Sequence, residues 1–209
     1  MWAGGRIRTS GPLRCGEPAT KMSRLLSVQE RKGRSGLLTF ITVEHQILQH
    51  DRIVIVEQQD IVYRDAVSPA RQPPAPVDEG PVVMPGDGEW AIEVSPTLLF
   101  RFSALTYNAH RIHYDRDYAT RVEGYPGLLV QGPLQALAMA EAARAARYRV
   151  GTRGHGLSFE YRLTSPLFDH QGMVVSVARE QETLLTAVRD LRGRQTAVGT
   201  LRPGLSLPG

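Results

Sequence analysis

A long alanine-rich segment between Gly132 and Tyr148 constrains the fold of this chain more than any other feature. Small and apolar residues recur there with the period of an α-helix, and Pro133 stands in the first turn, where a helix tolerates proline. The predicted helix is about 25 Å long at 1.5 Å per residue. Its predicted apolar face consists of Leu134, Leu137, Ala138, Ala142, Ala145 and Ala146. Such a helix must bury this face against another layer.

Extended runs follow this helix up to the end of the chain. They are Leu157–Leu163, Met173–Val177, Leu184–Leu191 and Thr196–Leu201. A single long helix followed by consecutive strands predicts the α+β class, with a curved antiparallel sheet wrapped around the helix.

The N-terminal part is also rich in predicted strands. Leu37–Leu48 and Ile53–Tyr63 flank a short polar turn and predict a hairpin, and Ser23–Val28 predicts a further strand. Residues 68–89 are rich in proline and glycine, which predicts a linker. The expected organisation is therefore an N-terminal part over 1–67, a linker over 68–89 and a C-terminal part over 90–209.

Three polar side chains suited to acid–base chemistry crowd one short stretch. Asn108, His110 and His113 lie within six positions. His113 is the leading candidate for a base, because an imidazole titrates near neutral pH; the alternative is a buried structural histidine. Asn108 could orient a water or hold a carbonyl, or it could simply cap a turn. His110 could support His113 or contact a substrate. We expect these residues to lie in a connection from a strand to a helix.

The start of the long helix offers a site for negative charge. Gln131 and Gly132 precede its first turn, where free N–H groups and the helix dipole favour an anion. A thioester carbonyl bound there would gain stabilisation as its oxygen becomes an enolate. Gly127 and Gly132 fit this interpretation, and they also fit tight packing of the helix against the sheet.

The sequence predicts no metal site. His110, His113 and Asp115 are close together, yet no fourth ligand stands out. The nucleophile elbow of serine hydrolases and the glycine-rich phosphate loops are both absent from the sequence. Arg101 and Arg111 are candidates for binding a distal carboxylate of a substrate, or they are solvated surface residues.

Composition narrows the partners and the location. The net charge of +4 is spread along the 209 residues, which disfavours nucleic acid and suits a polyanionic ligand such as coenzyme A. No apolar run reaches the roughly 20 residues of a membrane span, and the single Cys15 fits a reducing compartment. The first 35 residues are poor in acids, like a transit peptide, but Glu17 and Glu30 with several glycines and prolines interrupt any amphipathic helix there. We expect a cytoplasmic protein, or a mitochondrial matrix protein in a eukaryotic host.

The motif region resembles the MaoC-like hydratase/dehydratase family, which has the hot-dog fold. The hydratase motif of that family reads Ser/Thr-Gly-Asp-x-Asn-Pro-Ile-His, and Thr106 to His113 match it in register. The resemblance places His113 at the catalytic histidine and Asn108 at the catalytic aspartate. It also aligns Gly127 to Gly132 with the segment that leads into the central hot-dog helix, where Gln131 replaces a histidine.

The residues of the motif, from Leu105 to Asp115, resemble those of a narrower branch of this family. That branch contains mesaconyl-C4-CoA (3-methylfumaryl-CoA) hydratases, itaconyl-CoA hydratases and the yeast-type 3-hydroxyacyl-thioester dehydratase. The stretch from Gly33 to Arg64, and also Met1 to Arg6, resembles the other half of these double hot-dog proteins. The resemblance implies a homo-oligomeric hydro-lyase that acts on an acyl-CoA thioester without a further cofactor.

Two departures from the family pattern carry expectations of their own. Asn108 removes one carboxylate, so base catalysis falls on His113. The N-terminal half lacks its central helix, so we expect exposed apolar surface on its sheet. Either Met1 is an internal start, or another subunit covers that surface. Four functions stay open: hydration of a C5 dicarboxyl-CoA, dehydration of a fatty 3-hydroxyacyl thioester, binding of acyl thioesters without catalysis, and thioester hydrolysis, which the hydratase motif disfavours.

Overall fold

The computed structural model describes residues 1–33, 36–64, 80–149 and 156–203. The strands are β1 (Trp2–Thr9), β2 (Thr20–Gly33), β3 (Gly36–Gln49), β4 (Arg52–Arg64), β5 (Trp90–Ile92), β6 (Leu157–Leu163), β7 (Met173–Glu180), β8 (Thr183–Arg189) and β9 (Gln195–Pro203). The helices are α1 (Pro96–Leu105) and α2 (Gly132–Arg149), with short helical turns at Arg111–His113, Tyr118–Val122 and Asp169–Gln171.

The described strands form one antiparallel sheet in the order β2-β3-β4-β1-β6-β9-β8-β7-β5. Helix α2 packs on β1 and on β6 to β9. The predicted sheet around a long helix is therefore confirmed in this part of the molecule. The hairpin of β3 and β4, the strand β2 and the strands β6 to β9 all lie where the sequence pattern predicts them, and several extend beyond the predicted bounds.

The buried side of α2 differs in part from the predicted apolar face. Leu134, Ala138 and Ala142 are buried as expected, whereas Leu137 is 51% exposed. The buried arc instead extends through other small or flexible residues, namely Gln135, Ala136, Met139 and Ala143. Leu137 lies on the opposite side of the helix from the centre of this arc, so the prediction for Leu137 was wrong. Small alanine side chains allow the helix to approach the sheet closely.

Strand β1 links the two parts of the sheet, because it pairs with β4 on one side and with β6 on the other. Glycine is needed here because a Cβ atom on Gly4 would lie 2.6 Å from the carbonyl oxygen of Tyr161. The Nε1–H of Trp2 donates to the Tyr161 hydroxyl at 2.8 Å, which fixes the start of the strand. The acid-poor start of the chain thus belongs to the sheet.

Helix α1 was not predicted, and it changes the setting of the motif. Ser95 caps it by accepting the Leu98 N–H at 3.2 Å, and Pro96 occupies the first turn. Because α1 directly precedes Asn108, the motif lies in a connection between helical segments. The expected strand-to-helix connection was therefore wrong. The Ser-Pro pair is a helix-start signal that could have identified α1 from the sequence.

The edge strand β2 of the N-terminal part keeps apolar side chains exposed. On β2, Met22 is 48%, Leu25 is 61% and Val28 is 53% exposed. By contrast, Val175, Val188 and Ala197 beneath α2 are fully buried. The expected exposed apolar surface is thus confirmed for the described residues.

Residues 80–89 contain no helix and only short-range turns, and they are fastened to the body of the protein. Arg189 donates to the Glu89 carboxylate at 2.7 Å and to the Val83 carbonyl at 3.1 Å. The Val83 N–H donates to the Leu191 carbonyl at 2.6 Å. The rest of the predicted linker, 68–79, and the predicted boundary after residue 67 lie outside the described residues, so the domain limits remain predictions.

Candidate functional site

His113 ends the short helical turn that follows α1, and its side chain is buried at 7% exposure. Its Nδ1 lies 2.7 Å from the carbonyl oxygen of Leu129. Because a carbonyl can only accept, Nδ1 must carry the proton, and the neutral ring then keeps the lone pair of Nε2 free. Burial lowers the pKa of His113 to about 4, and the Leu129 hydrogen bond opposes this only partly. The ring is therefore a neutral base at physiological pH.

Asn108 shapes the turn that presents His113. Its Oδ1 accepts the backbone N–H of His110 at 3.1 Å, and its own N–H donates to the Ser103 carbonyl at 2.9 Å. This is the local capping role that asparagine commonly plays in turns. The side-chain Nδ2 meets no acceptor among the described residues. It could therefore still donate to a water or a carbonyl.

His110 lies beside His113 at the surface. The two ring centroids are 5.7 Å apart and the planes meet nearly at right angles. Partial burial lowers the pKa of His110, and the charge of Glu123 opposes that change. His110 is thus close enough to affect the base, and it remains accessible to a ligand.

The Gln131 side chain turns toward α1. It is fully buried, and its Nε2 donates to the Leu99 carbonyl and to the Ser103 hydroxyl, both at 2.9 Å. The Oε1 atom is buried without a hydrogen-bond donor among the described residues. The segment from Leu129 to Gln131 therefore contributes backbone groups to the site, while the Gln131 amide joins α1 to the start of α2.

Gly132 is the first residue of α2, at the end of the helix that favours negative charge. A Cβ atom on Gly132 would lie 2.3 Å from Leu163 Cδ1, so the Leu163 side chain would have to move to admit any larger residue here. Pro133 has no N–H, and Leu134 donates to the Gln131 carbonyl at 3.1 Å. Within the described part of the chain the Gly132 N–H meets no acceptor, so it is a donor available at the helix start.

Gly127 packs against the turn that precedes β7. A Cβ atom there would lie 2.6 Å from Asp169 Oδ1, and that same oxygen accepts the Leu128 N–H at 3.1 Å. This contact holds the segment from Gly127 to Gln131 in place beneath the motif. The structure thus gives Gly127 a packing role, and its predicted contact with a thioester stays a prediction.

The two arginines of the motif region have different surroundings. Arg111 donates to Asp115 at 2.8 and 3.1 Å, and its guanidinium lies 4.2 Å from the ring centroid of Tyr118. Its hydrogen bond with Asp115 raises the pKa of Arg111. Arg101 is exposed on the side of α1 opposite Leu99 and Ser103. Arg111 is therefore bound within its own turn, and Arg101 lies on the side of α1 away from the Gln131 contacts.

The structure brings His113 and the start of α2 together through a short backbone segment. Leu129 accepts the His113 ring proton, and its N–H donates to the Ile112 carbonyl at 3.0 Å. The sequence could not identify Leu129, because it acts through backbone atoms. Ser103, which is 4% exposed, could have been noticed as a polar residue one turn after the apolar Leu99.

Comparison with known proteins agrees with this arrangement. Residues 1–169 match the sequence model of the family described as "Hydroxyacyl-thioester dehydratase type 2". A mesaconyl-C(4)-CoA hydratase of Chloroflexus aurantiacus is 47% identical over 178 residues, which cover 81% of this chain and 58% of that protein. A mitochondrial hydroxyacyl-thioester dehydratase type 2 of Schizosaccharomyces pombe is 37% identical over 89 residues, or 43% of this chain and 29% of that protein. The chain thus spans between about a third and three fifths of the length of these relatives.

Solved structures support the fold. HtdX of Mycobacterium tuberculosis superposes with a TM-score of 0.71 at 17% identity, over 98% of this chain and 76% of that one. Another Mycobacterium tuberculosis protein, described as having a double hotdog fold, superposes with a TM-score of 0.55 at 16% identity, over 96% of this chain and 74% of that one. The predicted hot-dog fold is therefore confirmed.

The helices in the described ranges include none that is both long and apolar enough to cross a membrane. The family match covers most of the chain, including the whole motif region and the start of α2. The predicted resemblance is confirmed, and the chain belongs to the hydroxyacyl-thioester dehydratase type 2 family.

Proposed function

We propose that this protein is a hydro-lyase that adds water reversibly across the α,β double bond of an acyl-CoA thioester. The observation that supports this proposal most directly is the bond from His113 Nδ1–H to the Leu129 carbonyl. It leaves Nε2 as a neutral proton acceptor on a buried side chain that is bonded to Leu129, three residues before the start of α2. A base at one end and an oxyanion donor at the other are the two elements that enoyl hydration needs.

In the proposed reaction His113 Nε2 removes a proton from water while the water oxygen bonds to Cβ. The π electrons shift toward the thioester, and its oxygen carries the enolate charge. The Gly132 N–H and the dipole of α2 stabilise that charge. The His113 imidazolium then gives its proton to Cα, so that the elements of one water are added and the imidazole is restored. Asn108 Nδ2 would hold the water.

Mesaconyl-C4-CoA and itaconyl-CoA are the proposed substrates. The support is the 47% identity to a mesaconyl-C(4)-CoA hydratase, which includes the motif region. The alternative is dehydration of a 3-hydroxyacyl thioester, which the family name and the fission-yeast relative support. Neither Arg101 nor Arg111 is favoured as the ligand for the distal carboxylate of a dicarboxyl-CoA, because Arg101 lies on the outer side of α1 and Asp115 already binds Arg111.

The remaining expectations extend this proposal. The chemistry uses proton transfer and hydrogen bonding, so we propose that it needs no metal and no cofactor besides the coenzyme A of the substrate. We also propose a homo-oligomer located in the cytoplasm, or in the mitochondrial matrix of a eukaryotic host. The exposed apolar residues of β2 support the homo-oligomer. The single cysteine, Cys15, which is free and exposed, supports the location in a reducing compartment.

The test compares two histidine-to-asparagine variants. His113→Asn keeps an N–H that can donate to the Leu129 carbonyl but removes the basic nitrogen. His50→Asn changes an exposed histidine in the β3–β4 turn, at a positive φ of 50° that asparagine tolerates. Loss of enoyl absorbance is followed with mesaconyl-C4-CoA, itaconyl-CoA and crotonyl-CoA.

We expect His113→Asn to lower kcat by about 100-fold or more, the usual contribution of a general base. His50→Asn should keep the rate of the unaltered protein. Near-normal turnover by a folded His113→Asn variant would refute the assignment of the base. Binding of all three thioesters without turnover by the unaltered protein would instead favour a non-catalytic role.

A further inference from the structure

The buried carboxamide of Gln131 joins α1 to the residue immediately before α2. Its Nε2 reaches across to α1 and donates to both Leu99 and Ser103, which lie 32 and 28 residues earlier in the chain. The orientation of the amide is fixed, because the Leu99 carbonyl cannot donate and must therefore face the NH₂ group. Gln131 thus ties α1 to the start of α2.

A series of hydrogen bonds leads from this amide to the base. The Ser103 carbonyl accepts the Asn108 N–H at 2.9 Å, and Asn108 Oδ1 accepts the His110 N–H at 3.1 Å. The His110 carbonyl in turn accepts the His113 N–H at 3.2 Å. We call this series the Gln131 relay. It connects the start of α2 to the backbone of His113 through α1.

A second, independent connection runs through Leu129, which bonds both the His113 ring and the Ile112 carbonyl. His113 is therefore connected to the start of α2 in two ways, through its backbone by the Gln131 relay and through its ring by Leu129. Two such constraints define a position far better than one, and small displacements of a reacting group are costly in catalysis.

The Gln131 oxygen does not explain why a polar side chain stands at this position. Oε1 is buried and has no donor within the described ranges, and an unpartnered buried acceptor destabilises a fold. The two bonds from Nε2 must therefore account for a polar side chain at this fully buried position.

We propose that Gln131 is a positioning residue, which sets the distance between the His113 imidazole and the N-terminus of α2. This inference rests on the proposed hydration reaction. It assigns no contact between Gln131 and the substrate. The effect on catalysis is transmitted through Ser103 and Asn108.

The test uses Gln131→Met, Ser103→Ala and the double variant, with Gln135→Met as the matched control. Gln135 is likewise a buried glutamine, 2% exposed, in the first turn of α2, but its Oε1 accepts from Thr196, which is not part of the relay. Gln131→Met should lower kcat by about tenfold to 100-fold with KM changed less than about twofold. Ser103→Ala should do likewise, and the double variant should be no slower than the slower single variant, since both break one relay.

A readout independent of turnover is the NMR resonance of the His113 Nδ1 proton. It should shift in Gln131→Met and in Ser103→Ala, and it should stay unchanged in Gln135→Met. Unchanged kcat and an unchanged resonance in the relay variants would overturn the proposal, as would additive losses in the double variant. If Gln131→Met does not fold, Ser103→Ala decides by the same two measurements. A shifted resonance in a protein that turns over none of the three thioesters would refute the hydratase function while confirming the coupling.

Discussion

The Nδ1 atom of His113 lies 2.7 Å from the carbonyl oxygen of Leu129, three residues before the first residue of α2. This bond fixes the tautomer of the ring and ties the imidazole to the segment that leads into the helix. Both elements of the proposed chemistry therefore depend on one stretch of backbone. Residues that hold this stretch in place should affect activity even where they cannot touch a substrate.

The acid limit of activity should lie well below neutral pH. Burial lowers the pKa of His113 to about 4, so the base stays deprotonated and active from neutral pH down to about that value. The value of kcat/KM should be flat above this limit and should decrease tenfold per pH unit below it. A profile measured with mesaconyl-C4-CoA tests this, provided that the fold is checked at each pH. An acid limb near pH 6.5 would show that the ring is not desolvated.

Asn108→Asp should shift the acid limit of the kcat/KM profile to higher pH. A carboxylate beside the turn favours the charged form of the nearby imidazoles and so raises their pKa. Asn108→Ser is the control, because serine can still accept the His110 N–H without adding charge. The comparison is between the two kcat/KM profiles. Identical limbs in the two variants would mean that residue 108 does not act on His113 electrostatically.

Protonation of His113 should also make the fold sensitive to acid. Its pKa is about 4 in the folded state against 6.5 for an ordinary histidine, so the unfolded chain binds the proton more tightly in that window. The contribution to stability is therefore present above pH 6.5 and is lost as the pH falls toward 4, by about 3 kcal/mol at roughly 1.4 kcal/mol per pH unit. Urea unfolding of the unaltered protein and His113→Asn across this range measures it. The variant should show a smaller decrease, and equal slopes would contradict the prediction.

Gly132→Ala separates the two reasons for a glycine at the start of α2. An added methyl would meet Leu163 Cδ1 at 2.3 Å, so the variant should lose about 1–3 kcal/mol of stability by overpacking. Leu163→Ala in the same chain should make room for the methyl and recover part of that loss.

Because alanine keeps the N–H, a folded double variant should retain most of the kcat. Thermal unfolding and turnover of the four proteins form the cycle. A double variant that is stable but inactive would show that bound substrate needs the space of the glycine itself.

Only some of the site was predictable from the sequence. His113, Asn108 and the start of α2 follow from a motif and from a helix-start signal, both of which are local patterns. The Gln131 relay could not be predicted, because a glutamine before a helix carries no information about which distant carbonyl it will reach. Arg111 was a candidate ligand for a carboxylate in the sequence. In the structure its guanidinium is bound by Asp115 and lies over the ring of Tyr118, contacts that form only when the turn folds.

The extent of α2 and the strands on either side of it were determined by the sequence, because hydrophobic periodicity is set by neighbouring residues. Tertiary structure decided what those elements do together. It placed β1 between β4 and β6, where contact with Tyr161 demands Gly4, and it gave the His113 ring its proton acceptor in Leu129. The physical reason is that burial and hydrogen bonding between residues far apart in the chain exist only once the helix has packed on the sheet.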